Sequence, residues 1–228
     1  MILIRRYILR YRKTKNYKEK LAELEGKTYI HIDEKSRPNW KYTYPESKPL
    51  MIEIGCGKAG FLLELVKRNP EINYVGVEKN EALMLAAATL AAEQNLNNIK
   101  FISFDANEIE NYFEKESVSR IYLNFSDPWP KIRHSRRRLT SRGFLEKYAN
   151  ILRENKEIIF KTDNKNLFEF TLLELSLRKD KLISIDIDLH SKQYEIEDER
   201  LVLTEYEKRF MEQELPIYRL EAQLLGNK

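Results

Sequence analysis

Residues 50–68, LMIEIGCGKAGFLLELVKR, decide the fold. The opening LMIEI is a short apolar run of the length a buried strand takes. The glycine turn GCGKAG at 55–60 follows, and the remainder reads as a helix through about Arg68. A strand that passes through a glycine turn into a helix lets the backbone bend tightly and come close to a ligand, with free helix-start N–H groups facing it.

The same unit recurs downstream. Residues 73–77 (NYVGV) predict a second strand, 81–95 a long Ala/Leu helix, 99–104 (IKFISF) a third strand and 107–114 a short helix. Residues 120–125 (RIYLNF) predict a fourth strand that ends in SDPWP, and 140–152 a helix. Residues 157–161 (EIIFK) predict a fifth strand and 165–178 a helix striped by Phe168, Leu172 and Leu175. Repeated strand–helix units imply a parallel sheet with helices on both faces. In 183–189 (ISIDIDL), Ile183, Ile185, Ile187 and Leu189 alternate with Ser184, Asp186 and Asp188, the pattern of an antiparallel or edge strand with one wet face. A helix over about 205–213 and a last strand near 217–224 complete the unit. The expected fold class is α/β: a three-layer, Rossmann-like αβα sandwich whose parallel sheet closes with an antiparallel C-terminal pair. The expected domain spans 49–228, preceded by a basic arm and an irregular lead-in over 1–48 that carries Gly26, Pro38, Pro45 and several aromatics.

Composition narrows the functional classes. The 228 residues are 42% hydrophobic and 33% charged, which suits one soluble globular core. No apolar run approaches the roughly 18 residues of a membrane span. The opening MILIRRYILRYRK has no continuous hydrophobic region and no small-residue cleavage site, so a cytoplasmic location is expected. A lone cysteine, Cys56, excludes an internal disulfide framework, and three scattered histidines leave little from which to build a metal site. The net charge of +4 hides two concentrations: eight basic residues against one acid in 1–20, and six against none in 131–142, KIRHSRRRLTSR. The rest of the chain is acidic, and local positive fields on an acidic body suit a polyanionic partner.

Acids follow three successive strands: Glu53 just before the turn that holds Gly55 and Gly57, Glu78 at the end of the second strand, and Asp105 past the third. All fall at the carboxyl edge, where open α/β sheets bind ligands. Glu78 is placed to accept ribose hydroxyls and Asp105 an adenine amino group. Glu53 would repel a pyrophosphate but suits a cofactor with a positive amino or sulfonium group, which weakens a nicotinamide-dinucleotide reading. The Walker pattern is absent, so ATP hydrolysis has no support. After the fourth strand, Pro128 and Pro130 stiffen a loop that frames Trp129, with Asp127 and Lys131 on either side. The run Arg133, His134, Ser135, Arg136, Arg137 and Arg138 comes directly after, a pattern in which basic side chains track phosphates while an aromatic stacks on a base.

The stretch NFSDPWPKIRHSRRRLT (124–140) resembles the signature of the bacterial tRNA (guanine-N7-)-methyltransferases, the TrmB family. The resemblance continues through Glu78, FISFDA (101–106), FKTDN (160–164), IDLH (187–190), LTEYEKRF (203–210) and PIYRLEA (216–222). It implies a class I methyltransferase that uses S-adenosyl-L-methionine and needs no metal. Cofactor contacts carry over to Glu53, Glu78, Asp105 and Asp127, beside Gly55 and Gly57. Substrate contacts carry over to Lys131, Asp163, Thr204, Glu205, Tyr206 and Glu207, and the RNA-facing segment to 133–138. The implied substrate is a guanine of tRNA, at position 46 of the variable loop, and the product 7-methylguanosine. Guanine N7 carries an in-plane lone pair, so alignment and a preoriented charge, assigned to Asp127, do most of the catalysis. One residue departs from the family pattern: Ala59 stands where a third glycine is usual.

Some alternatives stay open at this level. Thr204-x-x-Glu207 is also a capping box, and Asp163 is also placed to cap the helix that begins near Asn164. A methyltransferase acting on another RNA or on protein, and a tRNA-binding relic without catalysis, compete with the main reading. The oligomeric state is open between monomer and homodimer.

Overall fold

The computed structural model describes residues 15–32, 37–44, 46–191, 194–195, 198–204, 207, 210–213 and 215–225. Its centre is β1 (Leu50–Ile54), which pairs in parallel with β2 (Asn73–Val77) on one side and β4 (Val118–Asn124) on the other. β3 (Ile99–Ile102) lies outside β2, and β5 (Leu152–Thr162) outside β4, both parallel. β7 (Tyr218–Gln223) then inserts antiparallel between β5 and β6 (Lys181–Asp186), giving the order β3-β2-β1-β4-β5-β7-β6. The five parallel strands and the antiparallel pair stand as the sequence predicts.

Helices cover the sheet because their apolar stripes match its faces. In α3 (Gly60–Arg68), Phe61, Leu62, Leu65 and Val66 are buried at helical spacing. Each contributes about 1.5–3 kcal/mol by leaving water. With α4 (Glu81–Glu93) they form one core, on Tyr74, Phe101 and Tyr122. On the other face α5 (Ile109–Tyr112), α6 (Arg142–Ile151) and α7 (Lys165–Arg178) bury Ile109, Phe144, Leu145, Tyr148 and Phe168 in one core with Ile121, Ile158 and Phe160. Gly76 in β2 is sterically required: a Cβ there would lie 2.5 Å from the Phe101 ring and 2.9 Å from Cys56 Sγ.

Several boundaries differ from the sequence reading. The helix predicted over 140–152 runs from Arg142 to Ile151, and β5 begins at Leu152, upstream of the 157–161 core of its prediction. Residues 1–14 of the basic arm lie outside the described residues. Its end forms α1 (Tyr17–Leu24), which buries Leu21 in the α3–α4 core, although 1–20 show no clean period. The lead-in adheres closely to the body. Ile30 N–H donates to Phe101 O and Phe101 N–H to Thr28 O, at 2.9 and 2.7 Å, and Trp40, at the start of α2 (Trp40–Thr43), stacks on Phe113 at 5.0 Å. Of the helix predicted over 205–213, Glu207, Phe210 and Met211 are helical; 205, 206, 208 and 209 lie outside the described residues.

β6 is an edge strand as predicted, but its wet face is the apolar one. Ile183, Ile185 and Ile187 are exposed, whereas Asp186 is only 3% exposed. Asp186 accepts the Tyr194 hydroxyl at 2.8 Å and lies 3.9 Å from the buried Arg219 guanidinium. The alternation identifies the two faces; which of them is covered depends on residues that come later in the chain, Tyr194 and Arg219, which meet Asp186 on the acidic side.

Candidate active site

The carboxyl ends of β1, β2, β3 and β4 open onto a cavity of about 850 Å³. Its lining brings together Glu53, Gly55, Gly57, Glu78, Asp105, Asp127, Trp129, Arg136, Arg137 and Thr204. These residues are spread across more than half of the chain, and the parallel topology alone gathers their strand ends at one edge.

Each acid is held differently. Glu53 is buried, and its Oε1 accepts a 2.8 Å hydrogen bond from Asn124 Nδ2. Glu53 Oε2 and Asn124 Oδ1 are also buried, with no hydrogen-bond partner among the described residues. Burial pushes the Glu53 carboxyl up to about 7; Glu78 adds to this, while Asn124 and Lys161 oppose it. Glu78 accepts from Gly57 N–H at 3.0 Å and Asn80 N–H at 2.7 Å, so it ties the glycine turn to β2. Burial raises its pKa, partly offset by these backbone donors. Asp105 takes the Lys79 ammonium at 2.6 Å and caps the short 3₁₀ turn Ala106–Glu108, and the Lys79 contact holds its carboxyl down at about 2. Asp127 is exposed on the cavity rim.

The turn itself is strained at one place. Ala59 precedes α3 with φ 61° and ψ 24°, the left-handed conformation that glycine adopts readily. This is the position at which the sequence departs from the family pattern, and the loop keeps its path despite the methyl group.

The fourth-strand loop is preorganised. Phe125 and Trp129 have φ of 50° and 40°, conformations that persist only when surrounding contacts impose them. Phe125 N–H donates to Lys161 O at 2.9 Å. Arg138 donates to Pro128 O and Trp129 O at 3.0 and 3.1 Å and lies 4.3 Å over the Phe170 ring. Arg138 thus braces the loop, unlike the exposed Arg133, Arg136 and Arg137. Arg137 sits 4.9 Å over the Trp129 ring, and His134 meets that ring edge-on at 5.7 Å. Residues Ile132–Arg137 form a 3₁₀ helix, so the basic run has a defined shape beside the cavity.

Other expected residues lie apart from the cavity lining. Lys131 is exposed at the start of the 3₁₀ helix, and Ser135 is half-buried within it. Asp163 is half-buried after β5; the cap of α7 is Asn164, whose side chain accepts from Leu167 N–H at 2.9 Å, so the capping alternative falls to the neighbour. Thr204 and Glu207 make both bonds of the capping box: Glu207 N–H to Thr204 Oγ1 at 2.9 Å and Thr204 N–H to Glu207 Oε2 at 3.2 Å. Thr204 also lines the cavity, while Glu207 is fully buried beneath it. Glu205 and Tyr206 lie outside the described residues. Asn124 and Lys161 are not among the residues to which the sequence points. The signal for each is a polar side chain inside an otherwise apolar strand, in RIYLNF and EIIFK.

Two buried oxygens without partners, Glu53 Oε2 and Asn124 Oδ1, fit the ammonium of an amino-acid moiety, and Glu78 and Asp105 suit a ribose and an adenine. Among the described residues no cluster of potential metal ligands occurs, and no helix is long and apolar enough to cross a membrane. Sheet order and acid-lined cavity together define a class I, S-adenosylmethionine-dependent methyltransferase. The Methyltransf_4 family model, described as "Putative methyltransferase", matches residues 47–220. The tRNA (guanine-N(7)-)-methyltransferase of Clostridioides difficile is 44% identical over 216 residues, covering 94% of this chain and 98% of that protein. Its namesake from Listeria monocytogenes is 42% identical over 210 residues, covering 92% and 96%. The chain belongs to the tRNA (guanine-N(7)-)-methyltransferase family. In fold it is similar to the 16S rRNA methyltransferase KamB, with a TM-score of 0.64 at 12% identity over 87% of this chain and 98% of that one.

Proposed function

We propose that this protein transfers the methyl group of S-adenosylmethionine to N7 of a guanine in tRNA, at position 46 of the variable loop. The observation that carries the reading is one cavity with four carboxylates, Glu53, Glu78, Asp105 and Asp127, on its floor and rim, and Trp129, Arg136 and Arg137 beside them. Carboxylates suit a cationic, hydroxyl-rich cofactor, and the basic rim with its aromatic suits a polynucleotide. The cofactor supplies an electrophilic methyl group on sulfur. N7 is already unprotonated at neutral pH, so the chain's residues act by alignment rather than as a base. Positive charge passes to the purine, and Asp127 stabilises it from the cavity rim. Glu53, Gly55, Gly57, Glu78 and Asp105 hold the cofactor. Asp163 accepts from the guanine N1–H and amino group, and Lys131, Arg133, His134, Ser135, Arg136 and Arg137 run along the RNA backbone. The domain of 49–228 carries the chemistry, with 1–48 as an accessory arm, in the cytoplasm.

The test is incubation with unmodified tRNA and methyl-labelled cofactor, followed by nucleoside analysis and by chain cleavage at 7-methylguanosine. The expected product is 7-methylguanosine at position 46. Label in any other nucleoside, or binding of tRNA without transfer, overturns the assignment.

A further inference from the structure

Next to the cavity-lining Thr204 lies a buried charged cluster that makes none of the cofactor contacts assigned above. Lys161 on β5 and Glu207 have side chains 2% and 0% exposed, and Lys161 Nζ lies 3.2 Å from Glu207 Oε1. Lys161 also donates to Arg200 O at 2.9 Å and Val202 O at 3.2 Å. His190 Nε2 donates to Glu207 Oε1 at 2.9 Å from the 3₁₀ turn Leu189–Ser191. With Thr204 N–H on Oε2, the Glu207 carboxylate is occupied on both oxygens and sealed from the cavity. Three chain segments, β5, 189–191 and 200–207, converge on this one group.

The consequence falls on Thr204. Its Oγ1 accepts the Glu207 N–H on one lone pair, which fixes the oxygen in place, and the hydroxyl proton is the donor it offers a ligand in the cavity it lines. The edge of guanine that carries N7 also carries O6, an acceptor; adenine presents an amino donor there. We propose that Lys161, Glu207 and His190 are positioning residues that fix the Thr204 hydroxyl as a donor to O6 of the target guanine, and that Glu207 itself does not touch the base. This rests on the guanine N7 reading above. It gives the site a criterion for guanine on the reacting edge itself, separate from any recognition of the N1–H and amino group.

The test uses the full chain and tRNA carrying either guanine or 2,6-diaminopurine at the target position; the second base replaces O6 by an amino group and also loses the N1–H, so the part of the preference that disappears with the Thr204 hydroxyl is the part that reports O6. Single-turnover rates are measured at saturating cofactor, and S-adenosylhomocysteine affinity is measured on every variant. The wild type is expected to prefer guanine by about 100-fold or more, because a buried donor facing another donor is left unpaired. Thr204→Val should lose at least about tenfold of that preference, Thr204→Ser should keep it, and S-adenosylhomocysteine affinity should stay unchanged in both. Glu207→Gln should show the same relaxed preference, and Thr204→Val/Glu207→Gln no further loss than Thr204→Val alone. If Glu207→Gln does not fold, His190→Leu, which alters only the outermost partner, takes its place in the cycle. Equal preference in wild type and Thr204→Val, additive losses, or a loss of cofactor affinity in parallel with rate would overturn the proposal. Failure of the wild type to methylate guanine at N7 would instead overturn the functional reading.

Discussion

The two halves of the sheet are built on opposite principles. Around β3, β2 and β1 the strands are packed mostly by apolar side chains; apart from Lys100 in β3, which donates to Gly26 O of the lead-in, charge gathers near the strand ends, where Glu53, Glu78 and Asp105 stand at the edge of a dry frame. Around β5, β7 and β6 one face carries Lys161, Arg219, Glu221 and Asp186, with Arg219 paired to both acids, and Tyr194 and Glu207 are fastened to it through Asp186 and Lys161. At its near margin Arg120 joins Glu157 at 2.7 Å and Glu199 at 3.0 Å. An apolar contact is tolerant of register, whereas a buried ion pair is favourable in one geometry only and costs several kcal/mol when mismatched. The cofactor half therefore obtains its precision from loops on a rigid support. The other half obtains it from the frame itself.

The largest effect that tests this contrast is at the charged seam. Glu207→Leu strands the buried Lys161 and should cost about 3–5 kcal/mol of stability, while Lys161→Met/Glu207→Leu should recover a large part of it. Urea denaturation measures both, and a double variant no better than the single would show that the pair is not the unit. On the other half, Asp127→Asn should leave folding and tRNA affinity near normal and lower the single-turnover rate by about 10²–10³, roughly 2.7–4 kcal/mol. Recovery of the rate at saturating cofactor would reassign Asp127 to cofactor binding alone.

The buried Glu53 gives the cofactor half its own pH signature. Its carboxyl titrates near 4.5 when unfolded and near 7 when folded, so the folded state keeps a proton that the unfolded state has released. Stability falls as pH rises through that window, by roughly 3–4 kcal/mol in all, and the loss is complete above 7. Glu53→Gln should remove this dependence and be the more stable protein at pH 8, yet bind S-adenosylhomocysteine more weakly. Thermal unfolding between pH 4.5 and 8 decides it; parallel profiles would mean that Glu53 is hydrated. At the rim, replacing Arg136 and Arg137 with Gln should reduce the slope of log tRNA affinity against log salt by about 0.7–0.9 per residue. Arg138→Gln should instead lower affinity and rate by releasing the Pro128–Trp129 carbonyls. The smallest effect is expected at the strained turn, where Ala59→Gly relieves a left-handed alanine and should gain up to about 1 kcal/mol. A loss of stability there would show that the buried methyl group packs better than the backbone suffers.

Much of the cofactor half is legible in one dimension, because each of its acids follows directly after its own strand and glycine turns have local causes. The silhouette of five parallel strands and an antiparallel pair is legible for the same reason. The charged seam is not, since Lys161, His190 and Glu207 are far apart in sequence and none has a periodicity that announces burial. Asp186 shows the limit plainly: alternation separates it from Ile185, yet only the arrival of Tyr194 and Arg219 decides that the acid goes inside. Thr204 and Glu207 read from their spacing as a capping box and from the family resemblance as substrate contacts. The structure makes the cap and places Thr204, not Glu207, on the cavity.

The place of β7 has a consequence for synthesis. β6 leaves the ribosome before β7, yet its ladder partner among the described strands is β7 alone, which lies between it and β5. The chain through Arg178 already holds all five parallel strands and most of the cavity wall. β6 must wait until Tyr218–Gln223 has emerged and paired with β5 before it has a strand to pair with. A nascent chain thus acquires most of its cavity wall before its sheet can close, and loss of the final dozen residues would leave β6 without its ladder partner and Asp186 without the Arg219 guanidinium.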